Sequence, residues 1–334
     1  MVTFNDEVCC RTDSGLDPEF AAAVPGTPLK SALENLSDDD VDLRPGAREL
    51  VVQGARRRFG VRLEAEILLP LDQVEPPAGW EPLPEPDEFA AAVRAACAVA
   101  GAEADGFAAS CVHLFHLEGG CGLEACDLRQ ALRHAVPLPV PRGERFLVRA
   151  KSLAPVAGFG PTKMGLTGNW LHLRNRLLVY SVRRHLDDFP PLDGIFAFRG
   201  APATLPKGAA EAAKLGAVFS AGEEDSKVTV AVSEGRMRVR GQGANGWSEA
   251  DLELAYAGDP LAFRIAPATL EKLVTDHNQC EVGPGKLRVD GERWQFVTVL
   301  GKPDAPPPPD AAAEPAPDGD GEYAAVGAEE SSDD

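Results

Sequence analysis

Basic residues are scarce: 33 Lys and Arg stand against 52 Asp and Glu, a formal net charge of −19 over 334 residues. This excludes a generally basic nucleic-acid binder, but not a locally basic surface on an acidic body. Aromatic residues are few, at 6%, yet 44% hydrophobic residues suffice for a packed core and the length for two or three domains. No apolar run approaches the ~18 residues of a membrane span. Met1–Asp13 lacks the basic-then-apolar pattern of a signal peptide. Cys9, Cys10, Cys97, Cys111, Cys121, Cys126 and Cys280 make an odd set with no C-x-x-C, which reads as reduced thiols in a cytoplasmic setting.

Signatures of chemistry are also missing. There is no G-x-S-x-G and no H-E-x-x-H. Gly158–Lys163 superficially resembles a phosphate-binding loop, but no Gly precedes Lys163 and no Ser or Thr follows it. His113, His116, Cys121 and Cys126 tempt as zinc ligands, which would have to converge on one point. Strand alternation over 108–117 sends His113 and His116 to opposite faces instead, so no metal and no cofactor are expected. Asp38-Asp39-Asp40 reads as a solvated turn.

What is present is an internal repeat. Short helices are predicted to begin near Thr27, Asp87, Arg149, Pro206 and Ala266, with starts 60, 62, 57 and 60 residues apart. Their apolar stripes are Leu29, Ala32, Leu33 and Leu36; then Phe89, Ala92, Val93 and Ala96; Leu153, Val156 and Ala157; Ala212, Leu215 and Phe219; and Leu270, Leu273 and Val274. Behind each lies a meander of short strands with tight turns, among them Gln53-Gly54, Arg174-Asn175 and Asp290-Gly291. One such unit exposes a greasy sheet face and a greasy helix stripe, and two units together bury both. The fold class is therefore α+β, built from repeated helix-plus-meander units. A partial first lobe is expected over 1–80, full lobes over 87–187 and 195–300, and a disordered tail over 301–334. That tail holds ten acidic residues against Lys302, a net −9, leaving −10 for residues 1–300.

This arrangement resembles the DNA polymerase sliding clamps, closest to the bacterial β-clamp type, over most of residues 1–300. Asp188-Phe189-Pro190-Pro191 looks like the family's Phe-Pro-Asp-Tyr segment between the second and third lobes, with Pro191 and Leu192 replacing the Asp and Tyr. Arg236–Thr275 looks like the third-lobe core, and Trp294–Leu300 sits where the family's closing strand sits. The resemblance implies a ring around duplex DNA with helices inside and sheets outside. It implies a non-catalytic processivity factor and likewise a homodimer ring. A DNA polymerase and a clamp loader would dock through short peptides between the second and third lobes. The chain departs from the family by opening in mid-hairpin at Val2-Thr3-Phe4, so the first half-lobe is expected to be lacking; a misplaced start or truncated gene is one explanation and a divergent assembly, such as a virus-encoded clamp, the other.

For contact with DNA the candidates are Lys30, Arg94, Lys151, Lys163, Lys207, Lys214 and Lys272. Loose phosphate contact without base reading needs cations on the free helix faces. Salt-paired solvated faces explain Lys30 beside Glu34, and Lys207 and Lys214 around Glu211, as well as DNA does. Arg56, Arg57 and Arg58 fall in a hairpin, where blunting of an edge strand accounts for them equally. The partner-peptide pocket carried over from the family comprises Cys126, Leu128, Arg129, Ile195, Val297, Val299 and Leu300, where Asp127 matches the family's Thr-Asp-Gly-His and its neighbours do not. Plain sheet core is the alternative for each apolar member. The rival to the clamp reading is a structural or interaction protein of repeated α/β units.

Overall fold

The computed structural model describes residues 1–13, 20, 22–38, 40–64, 71–74, 76–77, 79–220 and 226–303. The expected tail lies, from residue 304 on, outside the described residues, as does Asp39. Residues 1–82 form β1 (Val2–Asn5), β2 (Val8–Thr12), α1 (Gly26–Glu34), β3 (Asp42–Pro45), β4 (Glu49–Gln53), β5 (Arg58–Arg62) and β6 (Glu81–Pro82). Next come α2 (Pro86–Val99), β7 (Cys111–Leu117), β8 (Gly120–Cys126), β9 (Gln130–Val136), β10 (Arg145–Arg149), α3 (Ala150–Leu153), α4 (Val156–Phe159), β11 (Lys163–Leu166), β12 (Trp170–Arg174) and β13 (Leu178–Arg183). The remainder is α5 (Asp193–Phe196), β14 (Ala201–Thr204), α6 (Gly208–Ser220), β15 (Val228–Ser233), β16 (Arg236–Gly243), β17 (Gly246–Glu253), β18 (Ala255–Tyr256), β19 (Leu261–Ile265), α7 (Pro267–Asp276), β20 (Gln279–Gly283), β21 (Lys286–Asp290) and β22 (Trp294–Val299). No described helix is long and apolar enough to cross a membrane.

Each predicted meander forms, and the second to fifth each gain a further strand that the local pattern does not announce, while β3-β4-β5 remains three-stranded among the described residues. The strand before a helix crosses to the sheet of the neighbouring unit: β10 pairs with β7, β6 with β11, β19 with β15 and β14 with β20. The sheet order β10-β7-β8-β9 thus recurs as β19-β15-β16-β17, and β6-β11-β12-β13 recurs as β14-β20-β21-β22. This exchange ties the units in pairs. One core unites Phe89, Val93, Leu114, Leu123, Phe146, Leu153, Met164 and Leu171, and a second unites Ala213, Val230, Met237, Phe263, Leu270 and Leu287. Along β16 the alternation is plain: Met237 and Val239 are buried, while Arg236 and Arg238 turn outward to Asp251 on β17.

Two strand seams join these pairs. Strand β22 pairs antiparallel with β9, putting Phe296 opposite Leu132 and Trp294 opposite His134, and the two meanders merge into one nine-stranded sheet. Strand β13 pairs with β2 by the same rule, Tyr180 opposite Cys10. In both seams the last strand of one pair meets the strand that closes the first meander of the preceding segment, β9 after β7-β8 and β2 after β1.

Three sequence expectations change. The third helix is two single turns, α3 and α4, because Pro155 supplies no N–H to continue the ladder. Helix α1 buries none of its stripe, and Leu33 is 38% exposed; its own described support is the three-stranded sheet β3-β4-β5. Helix α6 turns a different face inward than its large residues indicate. Ala209, Ala212, Ala213 and Gly216 are inside, while Leu215 and Val218 are 52% and 68% exposed. The reason is steric: a Cβ on Gly241 would lie 2.3 Å from the Cα of Gly216, so helix and strand touch backbone to backbone and only small residues fit.

The outer face of the β11–β13 sheet carries His172, fully buried between Thr167 (Nε2 to Oγ1, 3.0 Å) and Ser181 (Nδ1 to Oγ, 2.8 Å). Burial, aided by nearby Arg11, holds its pKa down to about 4. The folded state thus binds fewer protons than the unfolded chain between pH ~6.5 and ~4. Stability from this group is present at neutral pH and lost as pH falls through that window. Urea midpoints at pH 7 and pH 4.5 should show the wild type losing about 2 kcal/mol more than His172→Gln; equal losses would remove His172 from the account.

Candidate functional site

Two surfaces flank the β9·β22 seam. On one side α2 and α7 border a groove of about 590 Å³ whose floor includes Leu132, Trp294 and Phe296. On the opposite side, by strand alternation, lie Val297 and Val299. The seam therefore has a helix face and a sheet face.

On the helix face the predicted cations fare unequally. Arg94 and Lys272 line the groove from facing helices and make no ion pair among the described residues. Lys207, just before α6, is exposed and also without an ion pair among the described residues. The others are neutralised: Lys30 by Glu34 (3.7 Å), Lys151 by Glu103 (2.5 Å), and Lys214 by Glu271 of α7 (3.1 Å). Lys163 corrects an expectation. It opens β11 on the face opposite the buried Met164, hence away from the helices. The charges within helices α1, α2, α3, α4, α6 and α7 total −1. Their surface is close to electrically neutral rather than basic.

On the sheet face, the segment after β13 crosses the seam. Leu192 and Phe196 of this crossing bury against Cys126, Ala131 and Val297, with Phe189 and Ile195 packed at the margin. The crossing is pinned by arginines. Arg133 stacks over the Phe196 ring (4.8 Å) and reaches Asp193 (2.6 Å), and Arg288 donates to the Phe196 carbonyl (2.5 Å). Arg133 is itself held by Glu124 (Nε to Oε1, 2.7 Å), a buried carboxylate that also meets His113 Nδ1 at 3.1 Å. His113 in turn stacks on Phe189 at 4.8 Å. His116 sits on the other face opposite Cys121, so the four residues weighed as zinc ligands are divided between two faces.

The predicted pocket residues are only partly brought together. Cys126 and Val297 are buried in the cluster and Ile195 borders it. Leu128 is 72% exposed in the β8–β9 turn at φ 70°, a left-handed conformation stabilised by Asp127 Oδ1 accepting from the Arg129 and Gln130 amides (2.9 and 2.7 Å). The Arg129 carbonyl accepts from the Val299 amide (2.7 Å), which sets exposed Val299 beside that turn. Leu300 is the correction: it turns inward to the core of the β14–β22 segment and is 4% exposed. Sequence reasoning missed Arg133, Arg288 and Phe196; the only local signal was an Arg in alternation with strand apolars, which many edge strands share.

The sheet-face cluster should depend on Glu124. Glu124→Ala leaves Arg133 without its buried partner, and urea denaturation should show a loss of about 3 kcal/mol. A loss below ~0.5 kcal/mol would mean the network is idle.

No protein-family model matches the chain, and no curated protein matches it. Its architecture is nonetheless shared with solved structures. A DNA polymerase III β subunit from Thermotoga maritima superposes with a TM-score of 0.76 at 14% identity, covering 91% of this chain and 88% of that one. The β subunit of Pseudomonas aeruginosa gives 0.75 at 14% identity, with 90% and 88% covered. The C. crescentus β sliding clamp gives 0.74 at 16%, with 90% and 87% covered. The fold is that of the β sliding clamps.

Proposed function

We propose that the protein is a non-catalytic sliding clamp: two copies close head to tail around duplex DNA and tether a DNA polymerase. In this reading residues 1–80, 87–187 and 195–300 are its partial first, second and third lobes. The observation that carries it is the repeated seam rule. The last strand of one pair meets the strand that closes the first meander of the preceding segment at β9·β22 and again at β2·β13. Extending the rule once more calls for β17 of one copy against β5 of the next, and both are free sheet edges.

The chemistry of those edges supports the pairing. Strand β17 exposes Glu249, Asp251 and Glu253, whereas β5 and its turn expose Arg56, Arg57, Arg58 and Arg62. Glu249 and Asp251 already pair with Arg236, Arg238 and Arg240 of β16, so among the described residues Glu253 is the carboxylate of β17 left to oppose the β5 arginines. The flanking helices would be α6 and α1, as α2 and α7 flank the internal seam. Their exposed Leu215, Val218 and Leu33 would then be covered, which accounts for apolar residues otherwise left in water.

A near-neutral helix surface supports topological rather than adhesive retention. With only Arg94, Lys207 and Lys272 free of ion pairs among the described helix-side candidates, few counterions are released on DNA. Attachment is then weak along any one contact and the ring slides. The acidic body repels DNA elsewhere and leaves the channel as the favourable path. The polymerase and the loader would engage the sheet-face patch around Leu128, Ile195 and Val299 through aliphatic-aromatic peptides.

Loading on circular DNA should give a complex that survives moderate salt and is released when the circle is cut. Equal retention on linear and circular DNA would overturn the ring. Val218→Asp and Arg62→Glu, both at exposed positions, should each halve the mass in sedimentation and abolish retention with the far-UV spectrum unchanged. Persistence of the dimer in both would refute the β17·β5 closure.

A further inference from the structure

We propose that the acidic C-terminal segment, residues 304–334, binds in cis to the sheet-face patch between Leu128 and Val299. The docking itself follows from this chain's own surface; its regulatory consequence rests on the proposed function above.

The first argument is where the chain leaves the described structure. Strand β22 ends at Val299, inside the patch, and Pro303 is the last described residue. The segment therefore starts within a few residues of the surface it would cover.

The second is composition. Residues 304–334 contain ten acids and no Lys or Arg. Tyr323 is their only aromatic residue, and Val326 their only aliphatic residue larger than Ala outside the prolines. These two lie three residues apart, bracketed by Glu322, Glu329 and Glu330. The patch offers the complement. Leu128 and Val299, 72% and 53% exposed, are brought together by the Val299 amide donating to the Arg129 carbonyl, on the face that carries Val297. Arg129 adjoins Leu128 and Lys286 faces Val299, with Arg199 further along on the Phe198 carbonyl, none with an ion pair among the described residues, and Asp127 caps the Leu128 turn. Lys286 is directly across from Val299 and lies over the Phe198 ring at 5.9 Å.

The third is reach. A chain of ~20 residues spans roughly 25 Å root-mean-square, enough to return to its point of departure. Tethering at this length gives an effective concentration on the order of 1 mM. An intrinsic dissociation constant of ~0.1 mM would then leave the patch about 90% occupied and weaken a ligand in trans about tenfold. The segment would thus act as a built-in competitor that raises about tenfold the concentration any peptide needs to occupy the patch.

The test uses the full chain with a benzophenone amino acid at position 128. Irradiation should give an intramolecular crosslink mapping to 304–334, strongly reduced in Tyr323→Ser/Val326→Ser. In parallel, a fluorescein-labelled peptide of residues 318–330 should bind that double variant about tenfold more tightly than the wild type, with the difference shrinking in high salt. No crosslink to the segment, or equal peptide affinity for both proteins, overturns the proposal. Neither readout involves DNA or polymerase, so failure here and failure of circular-DNA retention are separate results.

Discussion

The antiparallel pairing of β22 with β9 is the interaction on which the rest of the molecule depends. It joins strands more than 150 positions apart in the sequence into one sheet, and its two faces make both candidate surfaces. On the helix side Trp294 and Phe296 contact both hydrophobic cores at once, so the seam is continuous with the interior rather than a contact between finished surfaces. Aromatic burial of this kind contributes about 25 cal/mol per Å² of apolar area, added to the ladder's hydrogen bonds. On the sheet side the same pairing brings Val297 against Ala131 and Val299 beside the Arg129 carbonyl. The patch exists only because the seam does.

That construction explains why the charge is arranged as it is. A chain of net −19 still spends its arginines at the joints. Arg133 and Arg288 lock the crossing segment, Arg149 links Glu7 with Glu103, and Arg184 lies over Phe146 at 4.3 Å. Planar guanidinium groups suit this work, since they stack on rings and donate in several directions at once. Lysines, better as isolated charges, are left to the surface, where half of the helix candidates are cancelled by a neighbouring carboxylate. The result is a framework stitched by Arg and a helix face with little net field.

Local signals made much of this readable beforehand. Apolar spacing found all five helix positions, and Arg174-Asn175 and Asp290-Gly291 marked real hairpins, because turn residues act over a few positions. The exchange of β6, β10, β14 and β19 between sheets was not readable, because each partner is set by tertiary closure rather than neighbouring sequence. The α6 face was misread for a related reason. Leu215 and Phe219 look like a core stripe, but the Gly216–Gly241 contact admits only small residues and turns Leu215 out. Leu300 failed through period two: β22 sends Val297 and Val299 to one face, so the next residue must leave by the other. Of the patch, Leu128 and Val299 were legible from position, whereas Arg199 and Lys286 required the sheet to be assembled.

The exposed apolar residues then acquire a common logic. Leu215 and Val218 on α6, Leu33 on α1, and Leu128 and Val299 in the patch are each left in water by the single chain. The first three border the two strand edges that the seam rule leaves unpaired, and the last two border a seam already formed. A protein assembled by repetition cannot satisfy its end units internally, which accounts for the exposed apolar residues of α6 and α1, while Leu177 and Leu186 are exposed in the β12–β13 turn and after β13. Leu128 and Val299 instead stand beside a completed seam, Leu128 held out by its left-handed turn and Val299 by strand alternation, so edge and patch expose their apolar side chains for different structural reasons.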